Sequence, residues 1–166
     1  MKKISIVSSC FNEEDNIPVL YRGINEVIEK YIERYEFEFI FIDNDSTDFS
    51  QDELRKLAMD DKRVKLIFNS RNFGYIKSAY YAIMQASGDA VIYLASDLQD
   101  PPELIADFID NWEKGCDVVI ARKYDQKSFS FLNILRKFYY FALDLMKDEG
   151  GNLILSLIHI SEPTRP

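Results

Sequence analysis

Histidine is almost missing from this chain. Of 166 residues only His159 is one, and it falls in a terminal stretch that reads as foreign to the rest. The remainder offers no imidazole for acid–base work or metal binding. Cysteine is scarce too. Cys10 and Cys116, the only two, lie in or beside expected strands and form no disulfide framework, which points to a reducing compartment. No apolar stretch approaches the roughly 20 residues that span a bilayer. Met1-Lys2-Lys3 runs straight into strand-like sequence, with no apolar core of a secretory signal. Positive charge is also in deficit: 20 Lys and Arg stand against 28 Asp and Glu, for a net charge of −8. That balance argues against a nucleic-acid partner, because phosphate backbones need clustered cations. There are no repeats and no low-complexity linkers.

What is present is an alternation of strand-like and helix-like segments. Residues 4–8, 37–42, 64–68, 90–94 and 117–121 read as five strands. Between them lie helical patterns: Ile17, Leu20, Ile24, Val27, Ile28, Tyr31 and Tyr35 keep the helical period after a cap at Asp15 or Asn16. Ser50 and Glu53 form a capping-box pattern before Leu54, Leu57 and Ala58. Residues 76–86 are a third helix and 101–114 a fourth, the latter closed by Gly115, where a left-handed residue is cheap. Trp112 reads as packing of that helix. Strands alternating with helices in this way imply an α/β fold with a doubly wound, mostly parallel sheet.

Residues 130–146 differ, being apolar around much of a helix, with Arg136, Lys137 and Lys147 adding positive charge. They read either as a helix packed on another element or as one lying in a membrane interface. Residues 155–165 resemble the in-frame translation of a transposon-type sequencing-library adapter. One domain over 1–152 is therefore expected, C-terminally incomplete, with 153–166 a non-native tail.

The polar residues that look out of place all follow strands: Asn12-Glu13-Glu14, then Asp43 through Asp48, then Arg71-Asn72-Phe73-Gly74, then Asp97 and Gln99, then Arg122-Lys123. Each alone reads as an ordinary turn. Together they fall at one edge of one sheet, where open α/β sheets bind ligands. Asp100 and Glu103 read as a capping box for a helix beginning at Pro101. Capping leaves Asp97 and Gln99 unexplained, and hard oxygen ligands at a strand end suit a divalent cation carrying phosphates. Facing acidic clusters need a cation between them, and nearby basic pairs suit phosphate. The combination points to a nucleotide diphosphate held through a metal. Gly74 serves a positive φ, a close phosphate approach or simply a helix start.

Phe11-Asn12-Glu13-Glu14, Asp43-Asn44-Asp45-Ser46-Thr47-Asp48, Ser70-Arg71-Asn72-Phe73-Gly74 and Ser96-Asp97-Leu98-Gln99-Asp100-Pro101-Pro102-Glu103 resemble, in order and spacing, the serial motifs of family 2 glycosyltransferases. The likeness covers most of residues 4–122 and is greatest to polyprenyl-phosphate sugar transferases of the dolichol-phosphate mannose synthase type. It implies a Rossmann-like GT-A fold binding a nucleotide sugar. Glu13, Asp43 and Asn44 would hold the base and ribose, within a donor site that also includes Asn12, Asn72, Gly74 and Ser96. Asp97 and Gln99 would bind Mg2+ or Mn2+ on the diphosphate. Arg122, with Arg136 as helper, would meet the acceptor phosphate, and Asp97 and Arg122 would be the catalytic pair.

The resemblance further implies a UDP- or GDP-sugar donor, a polyprenyl-phosphate acceptor, transfer with inversion and work at the cytoplasmic face of a membrane; a homo-oligomer is compatible with it. This chain departs from the pattern at Ala95, where the first Asp of a DxD motif is usual, at Asn44 for a second Asp, at Asp45 for Gly and at Ser9 for Pro. A truncated donor-binding module without turnover is one alternative, and a metal-dependent nucleotidyltransferase another. A receiver-type signalling domain would need an Asp ending the third strand, where Phe68 leads into Asn69. A dinucleotide oxidoreductase would need a glycine-rich first turn, which Ser8-Ser9-Cys10-Phe11-Asn12 is not.

Overall fold

The computed structural model describes residues 1–121, and Met1–Val119 forms one compact unit. Four strands, β1 (Lys2–Cys10), β2 (Tyr35–Asp43), β3 (Val64–Phe68) and β4 (Ala90–Tyr93), form a wholly parallel sheet in the order β3-β2-β1-β4. The helices are α1 (Asn16–Ile28), α2 (Ser50–Asp60), α3 (Tyr75–Met84) and α4 (Leu104–Glu113). The chain steps from β1 to β2 to β3 in one direction and then returns past β1 to β4. Parallel crossovers are right-handed, so reversing the direction of travel puts the connecting helix on the other face. The core follows this rule. Ile17, Leu20 and Ile24 of α1, Leu54 of α2 and Ile105 and Ile109 of α4 pack with Ile4, Ile6, Phe39 and Phe41, whereas Ala82 of α3 packs with Val7, Ile40 and Ile42. Alternate strand residues thus serve opposite faces, and each fully buried Phe or Ile contributes about 1.5–3 kcal/mol.

The α3 face also takes a charge. Glu38, in the middle of β2 and almost fully buried, accepts hydrogen bonds from the Ser5 hydroxyl at 2.5 Å, the Lys65 ammonium at 2.6 Å and the Ser87 amide at 2.7 Å. Lys3 approaches Oε2, the oxygen that also takes Lys65, at 2.9 Å. Burial alone would raise its pKa, but the bonds from Lys65, Ser5, Ser87 and Lys3 outweigh burial and hold the carboxyl well below the usual range.

Several helix starts differ from the sequence expectation. Ser50 is the first residue of α2, and its hydroxyl is taken by the Glu13 amide at 2.7 Å; the Asp48 carboxylate accepts the Ser50 amide instead. Asp15 precedes α1 without a side-chain cap. The turn after Pro101 begins with short i to i+3 bonds, from Leu104 to Pro101 and from Ile105 to Pro102, so α4 starts at Leu104 and Glu103 makes no side-chain cap bond. The first helix also ends earlier than its periodicity predicts: α1 stops at Ile28, a 3-10 turn covers Glu29–Tyr31, and Tyr35 opens β2. Gly115 does adopt the left-handed conformation, at φ 92°. Trp112 packs against Tyr35, with ring centroids 5.6 Å apart.

The expected fifth strand is not part of the sheet. Among the described residues, 117–121 pair with no strand, and Val118 is 77% exposed. A groove of about 440 Å3 lies along the outer edge of β4, between Val91 and Tyr93 on one side and Asp117 and Val119 on the other, with Phe108 and Trp112 of α4 also lining it. A run of β-branched residues becomes a strand only where an edge meets it, and here the groove separates the two.

Candidate donor-binding site at the β1–β4 crevice

The order β3-β2-β1-β4 places its switch point between β1 and β4. In open α/β sheets the ligand crevice lies at that point, outside the carboxyl ends of the strands. A pocket of about 120 Å3 occurs there, with Ser9 and Cys10 from the end of β1, Ser96 and Asp97 from beyond β4, and Phe11 and Tyr75 among its lining. Main-chain bonds carry the two strands' alignment past their ends: Leu94 donates to Val7 and Ser96 to Ser9.

Asp97 is exposed at this mouth, and its one hydrogen bond among the described residues comes from the Gln99 amide to Oδ1, at 3.1 Å. Leu98 between them stands at φ 55°, a conformation that is rare for a branched side chain. Gln99 is exposed beside it. Among the described residues no three His, Cys, Asp or Glu side chains gather as a cation cage. One open carboxylate with an amide neighbour instead suits a Mg2+-like ion that keeps its waters and takes its remaining oxygens from a bound diphosphate. The donor set fits that arrangement.

The turns after β1 and β2 are laced together. Asn12, at φ 58°, accepts the Thr47 amide on its side-chain oxygen at 2.8 Å, and its own amide donates to the Ser46 hydroxyl at 2.9 Å. The Glu14 amide donates to Asp48, while Glu14 accepts the Phe49 amide at 2.7 Å. Burial would raise the Asp48 pKa, but hydrogen bonds from Ser50 and from the Glu14 amide lower it on balance. Asp45 occupies the left-handed region at φ 66°, so the backbone takes the turn that a glycine would ordinarily supply. Glu13 lines the pocket, and one of its oxygens accepts the Asn16 side-chain amide.

Asp43 and Asn44, expected to hold base and ribose, are buried at the end of β2. Asp43 accepts the Ser46 amide at 3.1 Å and the Gln51 side chain at 2.8 Å. Asn44 lines the pocket, but its oxygen accepts from Asn69, from the Phe73 amide and from the Ser78 hydroxyl, and its nitrogen donates to Asn72. Its polar atoms are thus bound up in holding the loop before α3. Asn72 also accepts the Gly74 amide at 2.8 Å. Gly74 has φ 86°, and a Cβ there would meet no protein atom within 4 Å, so within the chain it is the backbone angle that calls for glycine. Ser96 is buried, its hydroxyl 2.8 Å from Ser8 and donating to the Ser9 carbonyl; it ties β4 to β1.

Cys10, beneath the pocket, is buried next to Asp43 and Glu13; burial first, then those carboxylates, push its thiol far up. Sequence reasoning singled out neither Tyr75 nor Ser78. The signal for Ser78 was a small polar residue on the same helical face as Ala82. Arg122 and Arg136 lie outside the described residues.

The family described as Glycosyl transferase family 2 matches this chain over residues 5–162. The bactoprenol glucosyl transferase of Shigella phage SfV is 40% identical over 126 residues, which are 76% of this chain and 40% of that protein. This chain spans about 40% of the length of such curated relatives. Among solved structures, the mannosyltransferase PcManGT from Pyrobaculum calidifontis, in complex with GDP-Man and Mn2+, has a TM-score of 0.61 at 20% identity, covering 81% of this chain and 39% of that one. TarS of S. aureus has a TM-score of 0.60 at 23% identity, covering 77% and 40%. These two likenesses are of fold alone.

Proposed function

The chain belongs to the family 2 glycosyl transferases, and on that premise we propose that its β1–β4 crevice binds a nucleotide-sugar donor whose sugar is passed, with inversion, to a polyprenyl phosphate. The observation that carries this reading is Asp97, an exposed carboxylate at the switch point of a parallel sheet, beside a pocket the size of a small planar group. The bactoprenol acceptor named for the phage relatives supports the lipid half of the proposal.

Chemically, an acceptor phosphate oxygen attacks the anomeric carbon. A C–O bond forms on one face as the bond to the diphosphate breaks on the other, and the leaving nucleoside diphosphate takes the electron pair. A hydroxyl acceptor would need a base to remove its proton, and no histidine stands among residues 1–121. A phosphate monoester, with a second pKa of about 6, already carries the attacking charge at pH 7. This favours a phosphate acceptor over a hydroxyl, and the lipid part rests on the acceptor named for the phage relatives. Asp97, with Gln99 beside it, would hold Mg2+ or Mn2+, which supplies positive charge against the departing diphosphate. Asp97 orients that end of the donor, while Asn44, Asn72 and Gly74 hold the loop that frames the other side. Arg122 and Arg136 are proposed to meet the acceptor phosphate, and the work is proposed to take place at the cytoplasmic face of a membrane, since a polyprenyl acceptor lies in a bilayer. Among the described residues no helix is long and apolar enough to cross a membrane.

The test is titration calorimetry of the chain with UDP and GDP, with and without Mn2+. Saturable binding of one of them that disappears with EDTA is expected. Binding of neither nucleotide in the presence of the ion would overturn the reading.

A further inference from the structure

Two aromatic rings line the small pocket at the crevice, Phe11 and Tyr75. Tyr75 is the first residue of α3 and is 57% exposed, so the hydrophobic core does not account for it. Its position is nonetheless well defined. The positive φ of Gly74 turns the chain into the helix at that point. The Tyr75 ring meets Tyr93 of β4 edge-on, with centroids 6.2 Å apart and planes at 71°. Tyr93 in turn is pinned by its hydroxyl, 2.6 Å from the Ser9 hydroxyl at the end of β1. Helix α3 is thereby joined to the two strands that border the crevice through a chain of three side chains.

Besides the two rings the pocket is lined by the small polar residues Ser9, Cys10 and Ser78 and by the carboxylates Glu13 and Asp97. A pocket with two aromatic rings, hydrogen-bonding side chains and carboxylates that repel negative charge suits a flat, neutral, hydrogen-bonding ring better than a diphosphate. Tyrosine loses little conformational freedom when such a contact forms, and a wall already braced by Tyr93 loses less still.

We propose that Tyr75 contacts the nucleoside of the donor and contributes to its recognition, with Tyr93 and Ser9 as positioning residues that hold it in place. This rests on the donor-binding reading of the crevice, and it assigns the base-bearing end of the ligand to the pocket and the diphosphate to Asp97. Base–aromatic contacts of this kind typically change affinity by about tenfold when the ring is removed.

The experiment compares the 166-residue chain with Tyr75→Ala, Tyr75→Leu and Tyr75→Phe. Each is titrated with UDP, GDP and inorganic pyrophosphate in the presence of Mn2+, and its thermal unfolding is recorded. Expected is an affinity about tenfold lower for the bound nucleoside diphosphate in Tyr75→Ala and Tyr75→Leu, recovery in Tyr75→Phe and unchanged pyrophosphate binding throughout. Tyr75→Leu keeps apolar bulk on the helix and serves should the alanine variant fail to fold. Unchanged nucleotide affinity, or equal losses for nucleotide and pyrophosphate, would overturn the assignment. If the wild-type chain binds neither UDP nor GDP, the donor-binding reading itself falls, a result distinct from a Tyr75 variant that binds like wild type.

Discussion

Asn44 at the end of β2 and Asn72 in the loop before α3 are joined amide to amide, the Asn44 nitrogen donating to the Asn72 oxygen at 2.8 Å. The same Asn72 oxygen accepts the Gly74 amide, and the Asn44 oxygen accepts the Phe73 amide at 3.0 Å. One buried side chain therefore holds both ends of a short loop that is otherwise exposed. The geometry makes Asn44 an organiser of the crevice pocket's wall, whatever ligand the pocket takes.

Asn44→Ala should accordingly weaken both the fold and the site. It leaves the Phe73 amide and the Asn69 side chain short of an acceptor, at a cost on the order of 2–4 kcal/mol. Urea unfolding should show a lower midpoint, and nucleotide affinity should fall with it. A variant as stable as wild type would remove Asn44 from this role.

Asp97→Ala should behave in the opposite way. The side chain is exposed, and its one hydrogen bond among the described residues is a turn bond from Gln99, so the unfolding free energy should stay within about 0.5 kcal/mol of wild type. Mn2+-dependent nucleotide binding should be lost. Retained affinity in calorimetry would exclude Asp97 from the metal site.

Acid should destabilise the chain through two carboxylates. Asp61 is half-buried; burial raises its pKa, but bonds from Arg63 and Tyr21 prevail and lower it to about 2. Glu38 is lowered in the same sense. A carboxyl whose folded pKa is depressed contributes fully above its unfolded value of about 4 and loses that contribution as pH falls toward the folded value. For Asp61 this is about 2 kcal/mol, lost between roughly pH 4 and 2. Chemical unfolding at pH 7, 4 and 3 should show the decline, and Asp61→Asn should flatten it. An equally steep acid limb in Asp61→Asn would refute the assignment.

Thiol chemistry offers a test of the core beneath the pocket. Cys10 is buried and its thiol is pushed far above the ordinary range, whereas Cys116 is exposed. Thiolate is the reactive form, so a disulfide reagent should label one thiol per native chain and two after denaturation. Rapid labelling of both under native conditions would show that the β1–β2 end opens readily.

The parts of this molecule legible in its sequence are those governed by local rules. Alternating strand and helix periods announced four of the parallel strands and the helices between them, because periodicity reports directly which face of an element is buried. The polar residues after β1, β2, β3 and β4 announced one edge, because a parallel sheet brings every such turn to the same side. Gly74 and Gly115 marked positive φ, since other side chains resist that angle. What the tertiary structure decided was partnership. Residues 117–121 carry a strand pattern yet pair with none of the described strands, because a strand also needs an edge within hydrogen-bonding reach. The Ser50 hydroxyl serves the Glu13 amide instead of capping its own helix. Asn44, a candidate ligand residue by position, spends its polar atoms on the loop of Asn72. Side-chain hydrogen bonds are short and directional, so a polar residue's role depends on which group the fold brings within about 3 Å, and spacing along the chain does not encode that distance.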